Sequence, residues 1–163
     1  MKQLALFLIF LPFVCFTITA VKAVQFQQDC GGYLKQAADA NSVELAAERL
    51  NLAIDYIEKN NLTEGYTSIL WRTEDDNIEF WYNNLKTCQK ELEEVKESSQ
   101  LEKTNVLMKV RESLTDNVGK YGTVVNTPDG ISRYPHNTAF AIFNIISCLL
   151  LCFGFFILFV EEW

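Results

Sequence analysis

The sequence predicts an all-α protein, an antiparallel helical hairpin or small three-helix bundle with a C-terminal transmembrane helix. Three observations carry that expectation. Residues 4–21 and 138–160 contain no charged residue. The 114 residues from Val24 to Asn137 hold 19 Asp/Glu and 12 Lys/Arg, a balance of −7. Inside that acidic segment, apolar residues recur at helical spacing in three separate stretches.

The N-terminal segment has the layout of a secretory signal. A short basic lead, Met1-Lys2-Gln3, precedes an apolar run of 13 residues from Leu4 to Phe16. Val21 and Ala23 then stand at the −3 and −1 positions of a cleavage site before Val24. An uncleaved anchor over residues 3–21 is the alternative reading. Val14 stands before Cys15 where a lipoprotein signal needs a small residue, so lipid modification there is not expected.

In the acidic segment, the first stretch comprises Val43, Ala46, Ala47, Leu50, Ala53, Ile54 and Ile57, one face of an α-helix. Asn41 and Glu44 have the spacing of a capping box. The pattern also continues backwards through Ala40, Ala37 and Leu34, so one long helix from about residue 29 is equally compatible. The second stretch comprises Ile78, Trp81, Tyr82, Leu85, Cys88, Leu92 and Val95. Thr73, followed by Glu74, Asp75 and Asp76, reads as its N-cap with acids at the positive end of the helix dipole. A calcium loop would need Gly at its sixth position, and Phe80 stands there. The third stretch, residues 100–116, places Leu107, Val110 and Leu114 on a narrower face. Residues 117–137 change character: Thr123-Val124-Val125 is β-prone, Pro128-Asp129-Gly130 reads as a turn, and the whole serves as a loop or linker.

About 15 residues join the first two helices, so they should lie antiparallel with their apolar stripes facing. A hairpin centred near residue 67 sets Cys88 opposite about residue 46, among Trp81, Leu85 and Leu92 and facing Ala46 and Ala47. If the first helix is continuous, Cys30 lies ~24 Å from that point. A disulfide needs Cα atoms within ~7 Å, so no Cys30–Cys88 bridge is expected.

Residues 138–160 exceed the ~20 residues a bilayer core requires, and beyond Thr138 at the start only Asn144 and Ser147 are polar along them. Tyr134 and Trp163 flank the span as interfacial anchors would. Ala141, Asn144, Cys148 and Cys152 form a stripe of small and weakly polar residues, a seam suited to close helix contact in lipid. The seam fits a second copy of the chain or a neighbour in a larger complex. Residues 161–163 form a short tail.

The composition excludes several functions. An acidic balance without clustered Lys/Arg does not suit nucleic acid or anionic headgroups. The only histidine is His136, beside the membrane. No zinc spacing, P-loop or GxGxxG occurs. No cofactor, metal or enzymatic activity is therefore expected.

The stretches "ANSVELAAERLNLAIDYIEKNNLTEGYTSIL", "FWYNNLK" and "DGISRYPHNTAF" resemble an uncharacterised family of bacterial membrane-anchored helical proteins. The resemblance covers most of residues 40–140. It has no active-site motif and implies a bacterial, extracytoplasmic setting.

The expected function is thus a membrane-anchored extracytoplasmic scaffold, adaptor or accessory subunit of an envelope complex. Its partners would be the membrane and another membrane or envelope protein. A leading signal exports the chain behind it, and the late span stops transfer. The positive-inside rule dissents, because Lys22 and Arg133 lie on the domain side, but it weakens for loops beyond ~60 residues. The alternatives are a thiol-redox or sensor protein using Cys30 and Cys88, and a double-anchored subunit of an integral membrane complex. Tyr66, Ile69, Leu70 and Trp71 are the candidate partner-binding residues, being large apolar side chains in a connection where polar residues are usual. They either plug the end of the bundle or project as a docking site.

Overall fold

The computed structural model, which describes residues 2–117 and 122–162, is an all-α helical bundle with a C-terminal apolar helix and one two-stranded sheet among the described residues. Its contacts divide the chain into two units, residues 25–131 and a second formed by residues 1–24 with 132–163.

Helix α1 (Lys2–Phe26) leads through a π-helical turn, Gln27–Gly31, into α2 (Gly32–Ala38). Helix α3 (Val43–Lys59) buries all seven residues of its apolar stripe. The continuous-helix reading is corrected: the chain leaves helical geometry over residues 39–42. Leu34, Ala37 and Ala38 of α2 are buried and α2 packs on α3, which requires the chain to reverse between them. Burying one leucine stabilises by about 1.5–3 kcal/mol, more than the few tenths per residue by which Ala favours helix continuation. Arg111 Nε donates to the Ala38 carbonyl at 2.9 Å, so the interrupted end of α2 is satisfied from another helix.

The cap of α3 is also one residue later than expected. Ser42 has extended backbone, and its Oγ accepts from the Leu45 N–H at 3.2 Å, so Asn41 and Glu44 form no capping box. At the other end the Leu62 N–H donates to the Ile57 carbonyl and the Asn61 N–H to the Glu58 carbonyl. With Asn61 at φ +56°, this is a Schellman motif with Asn in the left-handed position, and Leu62 is buried as its apolar partner.

Helix α4 (Ile78–Glu94) buries Ile78, Trp81, Leu85, Cys88 and Leu92, with Val95 buried just beyond. Its N-cap is Asn77, whose Oδ1 accepts from the Phe80 N–H at 3.1 Å. The expected cap, Thr73, instead donates to the Asp76 carboxylate at 2.5 Å. Helix α5 (Gln100–Leu114) begins at a complete capping box of Ser99 and Glu102. It buries Val110 and Leu114, while Leu107 is half-buried.

Strands β1 (Thr115–Asn117) and β2 (Thr123–Val125) pair antiparallel, so the β-prone run does form a strand and Asp116 belongs to its partner. Gly130 at φ +76° makes the expected turn. The Trp81 indole N–H donates to the Asn126 carbonyl at 2.9 Å, fastening this segment to α4.

Helices α2, α3, α4 and α5 thus form the bundle, the Leu34 region supplying a fourth helix. The register of α3 against α4 differs from expectation. Gln89 meets Asn51 and Tyr82 meets Glu58, which centres the hairpin near residue 70 rather than 67. Cys88 is buried, its thiol paired with Ser113 of α5, and this register sets it opposite about residue 52 of α3. Cys30 lies at 4.0 Å from the Ala53 carbonyl of α3. Both cysteines are free, so the absent bridge stands, although helix continuity is not the reason for it.

In the second unit, two helices are long and apolar enough to cross a membrane, Leu6–Ala38 near the N-terminus (whose later part belongs to the bundle) and Asn137–Val160 within α6 (Asn137–Glu162). Trp163, expected as an interfacial anchor, lies outside the described residues.

Candidate functional site

The connection between α3 and α4 is a loop with tied ends. The Thr67 N–H donates to the Asp76 carbonyl at 3.0 Å and the Ile78 N–H to the Gly65 carbonyl at 2.9 Å. Tyr66 and Asn77 form an isolated antiparallel bridge between those bonds. Gly65 sits at φ +104°, which a side-chain-bearing residue adopts only with strain. Leu62 and Thr67 of this connection are buried.

The four candidate residues do not plug the end of the bundle. Leu70 and Trp71 are 78% and 76% exposed, Ile69 is 47% exposed, and Tyr66 is 38% exposed. Their spacing of three and four suggests a helical face, but no helix forms here. Instead the loop turns back on itself, with Ser68 Oγ donating to the Trp71 carbonyl. Arg72 lies 5.0 Å above the Tyr66 ring, a cation–π contact that orders both side chains. Sequence reasoning found the apolar residues but missed Gly65, Arg72 and Asn77, which shape the loop. The Gly in "TEGYT" was the available signal for a forced backbone turn.

Exposed apolar side chains on a loop with fixed ends suit recognition. Their ordering cost is already met on folding, and aromatic residues dominate binding hot spots.

The second candidate surface belongs to the apolar helices. Helix α1 turns Pro12, Cys15 and Thr19 inward, and Phe7, Phe10 and Phe13 outward. Helix α6 turns Asn144, Ser147 and Gly154 inward, Ser147 being only 3% exposed, and leaves Phe153 and Phe156 outside. Between the two lies an apolar groove of about 270 Å³ whose lining includes Cys15, Thr19, Ala139, Phe143 and Asn144. Of the expected seam, Ala141 and Asn144 are half-buried, whereas Cys148 and Cys152 are exposed. The inward stripe continues through Ser147 and Gly154 at a spacing of seven, a signal present in the sequence but not used.

The thiols offer little chemistry. Cys30 is wholly buried, and burial pushes the Cys88 thiol above its ordinary value. A reactive cysteine needs an accessible thiolate, and neither position provides one. Among the described residues no group of three or more His, Cys, Asp or Glu side chains could hold a metal ion. His136 immediately precedes α6, and its carbonyl accepts from the Phe140 N–H in the first turn.

Compared with known proteins, the chain matches no family model, no curated protein and no solved structure. The resemblance of residues 40–140 to a bacterial membrane-anchored family therefore has no matched model behind it.

Proposed function

We propose that the chain is a membrane-anchored, extracytoplasmic helical scaffold or adaptor, an accessory subunit of an envelope protein complex. It docks its partner through Tyr66, Ile69, Leu70 and Trp71. The observation that carries this reading is the exposure of Leu70 and Trp71 on a loop whose two ends are hydrogen-bonded together. Large apolar side chains held in water by an ordered loop mark an interaction surface. Trp71→Ala should leave the melting temperature of the bundle within the range of an ordinary surface substitution, about 0.5 kcal/mol or less. The same change should abolish co-purification of the partner from gently solubilised membranes. A clear fall in melting with the partner retained would assign the loop to the core instead.

The anchor is the α6 segment, and residues 24–137 lie outside the cytoplasm. A C-terminal reporter active only outside the cytoplasm would overturn that orientation. The segregation of small and polar residues to the inner sides of α1 and α6 favours a second reading, a two-pass subunit that retains α1. Small residues allow close packing where lipid supplies no hydrophobic drive. Sequencing the N-terminus of the purified protein decides between them: a chain starting at Val24 supports one span, and one retaining α1 supports two.

A further inference from the structure

The docking loop carries a charge pattern that restricts what it can dock on. Between Leu62 and Phe80 stand five carboxylates, Glu64, Glu74, Asp75, Asp76 and Glu79, and one cation, Arg72. Arg72 is engaged over the Tyr66 ring. Glu64, Glu74, Asp75 and Glu79 are exposed, and Glu74 and Asp75 follow Trp71 closely in the same loop. The surface is therefore an apolar apex of Ile69, Leu70 and Trp71 beside a net negative rim.

We propose that the partner of this loop is a protein surface bearing an apolar pocket rimmed by lysine and arginine side chains. The inference rests on the docking function proposed for the loop and adds the partner's chemistry. Three kinds of occupant compete for such an apex. An anionic membrane surface is repelled, because the loop adds carboxylates where a lipid-binding segment concentrates Lys and Arg. A second copy of the same loop would bring two negative rims together within a Debye length of about 8–10 Å. Like charges juxtaposed across an interface are costly and suppress the wrong partner. A pocket with basic edges meets both features at once. Its apolar floor takes the indole and the leucine, and its edges draw the rim in and fix its orientation.

The test uses the full-length protein in its own membranes, carrying a photoreactive benzophenone amino acid in place of Leu70. A matched label at Glu93, an exposed position on α4, serves as the control. The expected result is a cross-link from position 70 to another protein, absent from position 93. That protein, purified, should bind the full-length chain in detergent. Trp71→Ala should weaken binding by at least roughly tenfold, as for a hot-spot residue. Glu74→Lys combined with Asp75→Lys should weaken it by about tenfold with melting unchanged, as should a rise from roughly 50 to 500 mM NaCl. Binding that is lost with Trp71→Ala but indifferent to charge reversal and to salt overturns the basic-rimmed pocket and leaves docking intact. A cross-link to lipid or to a second copy of the chain also overturns the inference. Labelling at position 70 no greater than at position 93 removes the docking reading itself.

Discussion

The bundle and the apolar helices sort their side chains in opposite ways. In α3 and α4, Leu50, Ile54, Leu85 and Leu92 are buried and the charged residues face out. In α1 and α6, Pro12, Ser147 and Gly154 are buried while Phe10, Phe13 and Phe156 are exposed. On the proposed membrane-anchored reading, each region suits a different solvent. Water drives large apolar side chains together. Acyl chains are as apolar as leucine, so packing there relies on small residues that let backbones approach.

The largest expected effect comes from placing a charge inside the water-type region. Cys88→Glu should unfold the bundle, since an unpaired buried carboxyl costs several kcal/mol even if it takes up a proton. Loss of the cooperative melt by circular dichroism checks this, and an equally stable variant would refute the packing of Cys88 against α5.

Matched deletions sharpen the comparison. Leu50→Ala leaves a cavity and should cost about 2–5 kcal/mol in denaturant unfolding of the bundle. Phe156→Ala removes a larger side chain from the outer side of α6, where Phe156 is 63% exposed, and should change bundle stability by less than about 0.5 kcal/mol. Equal losses in the two variants would break the contrast.

A smaller effect belongs to the cap of α5. Ser99→Ala removes the acceptor for the Glu102 N–H and the group bonded to the Glu102 carboxylate. It should cost about 1 kcal/mol, read as fraying of α5 by hydrogen exchange with α3 still protected.

The smallest effect concerns pH. The Tyr82 hydroxyl donates to Glu58 Oε1 at 2.6 Å, and this bond holds the Glu58 carboxyl below its ordinary value, with Lys86 adding to the effect. The same bond pushes the Tyr82 hydroxyl up to about 12. A lowered carboxylate contributes stability above its unfolded-state value and loses it as pH falls through the folded-state value. Tyr82→Phe should therefore move the Glu58 titration upward in a carboxyl NMR experiment. The stability change should be slight, because the pair is solvent-exposed. A Glu58 titration that does not move would separate the shift from Tyr82.

The residues that water buries could be read directly. All seven stripe residues of α3 are found inside, because a period of 3.6 residues leaves one consistent way to hide them. The two apolar segments were equally plain, since charge is absent from them whatever the fold. The candidate loop was legible only in composition: "YTSILW" shows large apolar residues in a connection, but not which way they point.

What the sequence determined by itself was the set of amphipathic and apolar segments, because periodicity and charge are local properties. Tertiary structure alone decided where α2 ends, because the reversal over residues 39–42 depends on Leu34 finding a place against α3 and on Arg111 reaching Ala38. It also decided that Cys88 meets α5, since a few residues of register between α3 and α4 change which neighbour a side chain faces. It left Trp71 exposed while Leu62 and Thr67 of the same connection are buried. The first two of these outcomes turn on residues distant in the chain competing for the same buried space, and no local pattern encodes that competition.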